Sequence, residues 1–281
     1  MQRRQFLQTS ALATALLGGM PLSATAKSAK GKVVVIGGGY GGATAAKYLR
    51  MLSGNQLDVT LVEPNSTFVS CPMSNLVVGG IRKINEISTP YTGLTRNHGV
   101  KMVKDYVTAI DVEKRTVKLK NGKTLPYDKL VLSPGIDLQL DKIEGLAAAN
   151  ASGQILQAWK AGPETVGLRK QLEAMPDGGT YVLNVPLAPY RCPPGPYERA
   201  SLVANYFKQF KPRSKVILLD ANEDVISKGK LFKGIWENQY KGILEYRPNV
   251  KVVGVDGATK TVKFEFEAGL SGILAFSFFV S

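Results

Sequence analysis

Cysteine and histidine are nearly missing from this 281-residue chain, which holds two of the first, Cys71 and Cys192, and one of the second, His98. A zinc site built from Cys and His needs three or four such ligands, so that metal chemistry is excluded, as is a disulfide-rich scaffold. No apolar run reaches the ~20 residues a membrane span requires, so no transmembrane segment is expected. Acids are also scarce: 22 Asp+Glu stand against 36 Lys+Arg, a formal net charge of +14. No stretch concentrates that excess as a nucleic-acid arm would, and aromatic residues do not alternate with it. The charge therefore reads as a diffuse field favouring anionic substrates or acidic partners, with no nucleic acid among them. A hydrophobic content of 44% with 21% charged residues excludes a disordered or collagen-like chain.

Residues 1–26 contain no acid. They run from Arg3-Arg4-Gln5-Phe6-Leu7 through a mildly apolar stretch to Ala24-Thr25-Ala26, the order of an export signal with its cleavage site. Adjacent arginines followed by Phe-Leu match a twin-arginine signal, which predicts a mature chain from about Lys27 in the periplasm. The alternative is an ordinary N-terminus with a chance arginine pair. Export of folded protein often serves to load a cofactor first, so the signal predicts a cofactor as well as a compartment.

Beyond the signal the pattern predicts an α/β fold of two modules. Residues 32–36 are a β-branched apolar run, 43–52 have helical composition and 58–62 read as a second buried strand, together a βαβ unit. Short strands are expected at 107–111 and 116–119, with Asn121-Gly122 supplying a tight turn, and another at 129–132 that ends in Ser133-Pro134-Gly135. A second unit follows: helix 164–175, strand 180–185, a proline-rich loop holding Cys192, helix 197–210 and strand 215–219. The expected domains are 27–150 and 151–267, with an uncharged apolar tail at 268–281. His98 reads as a solvated turn residue with no catalytic role.

Gly37-Gly38-Gly39-Tyr40-Gly41-Gly42 satisfies G-x-G-x-x-G between a strand and a helix. Gly37 permits the tight turn, Gly39 lets backbone approach a pyrophosphate and Gly42 lets helix pack closely on sheet. Glu63 ends the second strand, where a carboxylate can accept hydrogen bonds from the ribose of an adenosine. The fingerprint alone does not choose between FAD and a nicotinamide. The later Ser133-Pro134-Gly135, similar to the second contact segment of flavoproteins, favours FAD with Ser133 and Gly135 as further contacts. In the second module the place of a repeated fingerprint is taken by residues 184–196, rich in proline. Proline lacks an N–H and fixes φ, so nicotinamide binding is not expected there.

The loop instead presents Cys192 near a helix N-terminus beside Arg191, both favouring thiolate. Cys71 lies in Phe68-Val69-Ser70-Cys71-Pro72-Met73-Ser74-Asn75, where the chain leaves the second strand. Three readings stay open: a structural Cys71–Cys192 disulfide, Cys71 as a small buried hydrophobe, or Cys71 as a covalent flavin attachment point with Cys192 as a redox-active nucleophile.

The glycine fingerprint, the Cys71-Pro72-Met73-Ser74-Asn75 segment and the Tyr190-Arg191-Cys192-Pro193-Pro194-Gly195-Pro196-Tyr197-Glu198-Arg199 segment together resemble the flavoprotein chain of flavocytochrome c sulfide dehydrogenase, over residues 32–267. The resemblance implies two FAD/NAD(P)-binding modules of the disulfide-reductase type and a periplasmic sulfide oxidoreductase. It implies Glu63 as the ribose acid, Cys71 as the thioether link to the flavin, and Cys192 as half of a redox disulfide. It also implies a c-type cytochrome subunit as heterodimer partner, holding the only haem. The sequence departs from that family after residue 267. The second redox cysteine, a Gly-Asp segment and the C-terminal interface domain are absent, since no cysteine follows Cys192 and no Gly-Asp dipeptide occurs. The departure predicts a truncated product whose last residues form a non-native, exposed and aggregation-prone tail. Rival readings are a sulfide:quinone-type or other FAD-dependent pyridine-nucleotide-disulfide oxidoreductase and an inactive flavin-binding remnant.

Overall fold

The computed structural model describes residues 30–266 and 269–280; the expected export signal lies outside them. In chain order the first elements are β1 (Lys32–Ile36), α1 (Tyr40–Leu52), β2 (Asp58–Val62), β3 (Thr67–Val69), α2 (Cys71–Val78), β4 (Ser88–Pro90) and α3 (Thr92–His98). Then come β5 (Lys101–Val103), β6 (Val107–Asp111), β7 (Thr116–Leu119), β8 (Thr124–Pro126), β9 (Lys129–Leu132) and α4 (Leu146–Ala151). The remainder is α5 (Pro163–Ala174), β10 (Thr180–Val185), α6 (Gly195–Phe210), β11 (Lys215–Asp220), α7 (Gly229–Gln239), β12 (Leu244–Arg247), β13 (Val250–Asp256), β14 (Thr261–Phe266), β15 (Ser271–Ala275) and β16 (Phe278–Val280).

These elements form two units. The first joins the chain up to Glu63 with Leu94–Ser133, and the second joins Pro64–Gly93 with the chain from Pro134 onward. A boundary near residue 150 is thus corrected. Residues 64–93 lie with the second unit because α2 packs there: Val78 is 1% exposed in the same core as Leu168, Tyr197 and Phe207. His98 ends a helix rather than occupying a free turn, and its carbonyl accepts from Arg50 Nε at 2.8 Å.

The first unit is built on a parallel sheet in the order β5-β2-β1-β9. Val33, Val34 and Val35 of β1 are all nearly inaccessible, as expected for a strand covered on both faces. The antiparallel β6-β7-β8 sheet covers part of it, with Val117 and Leu119 of β7 sharing a core with Val34 and Val62.

The second unit repeats the parallel plan in the order β12-β11-β10-β16. Helices α5 and α6 bury Leu168, Leu172, Val203 and Phe207 against Tyr181 and Leu183, and the antiparallel β13-β14-β15 sheet belongs to a second core that includes Val182 and Leu219. The expected non-native tail is here a folded part of that unit. β15 pairs antiparallel with β14, and β16 pairs parallel with the middle strand β10, Phe279 opposite Val182. Phe276, Phe278, Phe279 and Val280 are buried. β16 is an edge strand of the sheet yet buried along its length, whereas Leu270 and Ile273 in the same run stay exposed.

Candidate functional site

Functional groups occur in each unit. In the first, β1 hands the chain to α1 through the glycine loop. Gly37 has φ +93°, a conformation that L-residues resist. A Cβ on Gly42 would stand 1.8 Å from the Gly37 carbonyl oxygen, whereas a Cβ on Gly39 would meet nothing within 4 Å. Gly42 is therefore required by the protein's own packing. Gly39 is not, and its openness leaves the backbone bare at the N-terminus of a 13-residue helix, where N–H groups and helix dipole favour a phosphate. Glu63, 8% exposed, brings its carboxylate to the same loop and accepts from the Gly38 N–H at 2.7 Å. Ser133 follows β9, with its N–H on the Ile36 carbonyl at 2.8 Å, and its Oγ would lie 3.3 Å from a Cβ on Gly41. This cradle, acid and serine fit the ADP half of FAD. Gly135 has φ +84° and falls in the second unit.

The second unit holds both cysteines, and both are free thiols; the Cys71–Cys192 disulfide reading is not realised. Cys71 opens α2 after the N-cap position Ser70 and its Sγ donates to the Trp159 carbonyl at 3.1 Å. It is half-buried and engaged through its sulfur, not a plain core hydrophobe. Cys192 precedes α6 and has φ +56°, a left-handed conformation that costs a non-glycine residue about 1–3 kcal/mol and clusters at functional sites. Its Sγ would stand 3.3 Å from a Cβ on Gly195, so glycine there spares the thiol a tight contact over the start of α6.

The expectation of a thiolate-favouring site at Cys192 needs correction. Burial pushes the thiol up, Glu198 and the neighbouring Cys71 push it the same way, and the Gly195 N–H and Arg191 oppose them more weakly. The helix N-terminus and the adjacent arginine are as expected, but partial desolvation and the Glu198 carboxylate outweigh them.

Two groups the sequence reading passed over tie the cysteines together. Asn75, one turn beyond Cys71 on α2, donates through Nδ2 to the Gly195 carbonyl at 3.1 Å and to Glu198 Oε2 at 3.4 Å. Its Oδ1 accepts from Arg199 Nε at 3.0 Å, and Arg199 Nη2 donates to the Ala158 carbonyl at 3.0 Å. Asn75 and Arg199 are both buried. They sat inside the two cysteine segments, and an amide and a cation flanking a cysteine on a helix were the available signal.

The proline-rich loop is held by β11. Asp220 ends that strand, near the position that Glu63 takes just after β2, yet it is fully buried. It accepts from Tyr197 Oη at 2.8 Å, Tyr246 Oη at 3.1 Å, and the backbone and side-chain amides of Asn222 at 2.9 and 2.7 Å. Asn222 in turn donates to the Pro186 carbonyl and accepts from the Ala188 N–H. A carboxylate saturated inside the fold is not offered to a ribose, and Pro186 follows β10 where a glycine would open a cradle. Among the described residues no cluster of His, Cys, Asp or Glu could hold a metal ion, and no helix is long and apolar enough to cross a membrane.

Comparison with known proteins divides the chain differently from its two structural units, between residues 161 and 165. Residues 31–161 match the family described as pyridine nucleotide-disulphide oxidoreductase, and residues 165–275 match the central region of the sulfide dehydrogenase [flavocytochrome c] flavoprotein chain. The chain is 27% identical over 250 residues to the mitochondrial sulfide:quinone oxidoreductase of Dictyostelium discoideum, covering 83% of this chain and 54% of that protein. It is 61% identical over 46 residues to the sulfide dehydrogenase [flavocytochrome c] flavoprotein chain of Chlorobaculum thiosulfatiphilum, 16% of this chain and 94% of that sequence. The solved sulfide:quinone oxidoreductase of Aquifex aeolicus superposes with a TM-score of 0.74 at 20% identity, over 89% of this chain and 57% of that one, a likeness of fold. The chain spans about half the length of the longer curated relatives it matches.

Proposed function

We propose that the chain, which matches the pyridine nucleotide-disulphide oxidoreductase family over residues 31–161 and the central region of the sulfide dehydrogenase [flavocytochrome c] flavoprotein chain over residues 165–275, is a FAD-dependent sulfide-oxidising flavoprotein that passes electrons to a c-type cytochrome. The observation that carries the reading is the pair of free thiols in one unit, each at the start of a helix and joined by a buried Asn75–Arg199 bridge. That arrangement suits sulfur chemistry and has no purpose in a plain dinucleotide-binding module.

On this reading Gly37, Gly39, Gly42, Glu63 and Ser133 hold the ADP half of FAD, Gly135 contributes a further contact, and Cys71 is its covalent anchor. Bound FAD supplies a two-electron acceptor for sulfide. Cys192 is the sulfur that meets the substrate, presented over the start of α6. The diffuse positive charge draws hydrosulfide toward the protein. The twin-arginine pair in residues 1–26 supports a periplasmic location and hence a soluble cytochrome rather than a membrane quinone as acceptor. The inward-turned Asp220 and the proline loop argue against NADH or NADPH as reductant.

The test is anaerobic mixing of the FAD-loaded chain with sulfide, NADH or NADPH. Sulfide should bleach the yellow flavin absorbance and neither nucleotide should. Saturable bleaching by NADH with none by sulfide would overturn the proposal in favour of an ordinary pyridine-nucleotide reductase. Sulfide-dependent reduction of a c-type cytochrome, compared with a soluble quinone, then decides the acceptor. Acid precipitation should leave yellow colour in the wild-type pellet and release it from Cys71→Ser; colour entirely in the wild-type supernatant removes the covalent assignment.

A further inference from the structure

Arg199 is only 4% exposed, and a buried cation is costly unless something in its surroundings needs its charge. Two of its five N–H donors are committed to neutral oxygens, the Asn75 side-chain carbonyl and the Ala158 backbone carbonyl. The others meet no acceptor among the described residues, and Arg199 forms no ion pair there. Burial lowers its basicity, while Tyr181, Cys71, Cys192 and Glu198 act to keep it charged.

Its two anchors are the neighbours of the two sulfurs. Ala158 precedes Trp159, whose carbonyl accepts from the Cys71 thiol. Asn75 holds the carbonyl of Gly195, the residue whose Cβ position lies 3.3 Å from the Cys192 thiol. The guanidinium is thus fixed between the two cysteine attachments, with donors to spare and no anion paired to it.

We propose that Arg199 is a positioning residue whose buried charge is the counter-ion of ionised Cys192, so that the site is incomplete until a sulfur anion forms. The proposal rests on Cys192 reacting as a thiolate. Ionisation sends the proton to solvent, and the sulfur anion left behind takes up the charge of a guanidinium that the nearby Glu198 carboxylate reaches only through Asn75 and not as an ion pair. Glu198 and Arg191 flank Cys192 on its own segment, Cys71 faces it from α2, and the Tyr190 phenol lies within its field. Glu198 opposes the anion and Arg191 assists it; Arg199 differs from Arg191 in being buried and held at both ends, so water does not screen it.

The experiment is the pH dependence of Cys192 alkylation by iodoacetamide, read by peptide mass spectrometry on the full chain, with Cys71 scored separately. It requires no turnover, so failure of the sulfide-oxidation reading leaves its result standing. In Arg199→Gln the alkylation midpoint should rise and the rate near neutral pH should fall about tenfold. Arg199→Lys, which keeps the charge, should recover most of the rate, and Glu198→Gln should move the midpoint downward. Asn75→Ser releases the Nε anchor and covers the case in which Arg199→Gln does not fold; its midpoint should rise in the same direction. Unmoved midpoints in whichever of the Arg199→Gln and Asn75→Ser proteins retains native circular dichroism would overturn the proposal, as would equal losses in Arg199→Gln and Arg199→Lys.

Discussion

Glycines 39 and 42 differ by three positions and by what each would touch. A methyl at Gly42 collides with the Gly37 carbonyl, an atom of the β1–α1 turn itself, while one at Gly39 enters open space. Gly42→Ala should therefore destabilise the protein by about 3 kcal/mol, because overpacking against backbone cannot relax by a rotamer change. Gly39→Ala should leave the thermal transition of the apoprotein almost unmoved and still weaken FAD retention. Thermal unfolding and flavin absorbance after gel filtration separate the two; equal loss of stability in both variants would contradict this division of roles. Residue types and spacing made the β1–α1 glycine turn and the approach of Glu63 to it legible in the sequence. The ionisation of Cys192 was not, because the sign of its shift depends on burial and on Glu198, neither of which follows from adjacency to Arg191.

The loop between β10 and α6 is organised from β11. Asp220 and Asn222 hold it through Tyr197, the Pro186 carbonyl and the Ala188 N–H, and Tyr190 Oη lies 3.3 Å from Tyr197 Oη. Asp220→Asn keeps the volume but replaces an acceptor of four donors by an amide that must turn a donor toward one of them. A loss of about 2–3 kcal/mol is expected from a buried charge-assisted network disrupted in this way. The same change should speed alkylation of Cys192 relative to wild type as its loop loosens. An unchanged midpoint of denaturant unfolding would show that the network is not the loop's support. The expected helices and strands lie within a few residues of the observed ones, for example α5 and α6 beginning one or two residues before their expected starts, since proline at the first turn is compatible with a helix, whereas α2, α7 and β12 to β16 were not expected. The role of Asp220 was hidden because its partners come from three separated segments.

On the scale of the whole molecule, the last strand and the buried phenols carry two further expectations. Phe279 is 1% exposed on β16, which pairs with the middle strand of the second unit. Phe279→Ala should cost about 3–5 kcal/mol, visible as a lowered thermal midpoint; a non-native, exposed tail would tolerate the change. Tyr181, Tyr197 and Tyr246 have phenols raised well above the ordinary range, chiefly by burial, with Asp220 adding to it at Tyr197 and Tyr246. A group whose folded pKa lies above its unfolded value contributes stability that is complete below the unfolded value, about 10 for tyrosine, and is lost as pH rises beyond it. Stability should hold to about pH 10 and then fall, with tyrosinate absorbance rising together with unfolding. A tyrosinate signal that develops while the native circular dichroism persists would contradict that linkage.

What the sequence determined by itself is whatever is written in contiguous residues. The βαβ unit follows from β-branched and helical runs, and the tight β1–α1 turn from the sterics of Gly37 and Gly42. What only the tertiary structure decided is whatever depends on residues far apart in the chain. Asn75 meets Gly195 across 120 positions and Arg199 across 124, and residues 64–93 join the second unit although they lie within the sequence of the first. The apolar run after residue 268 became two strands, β15 paired with β14 and the buried β16 paired with β10. Periodicity and local sterics act within a few residues, whereas burial, pairing and charge compensation exist only once the chain has closed on itself.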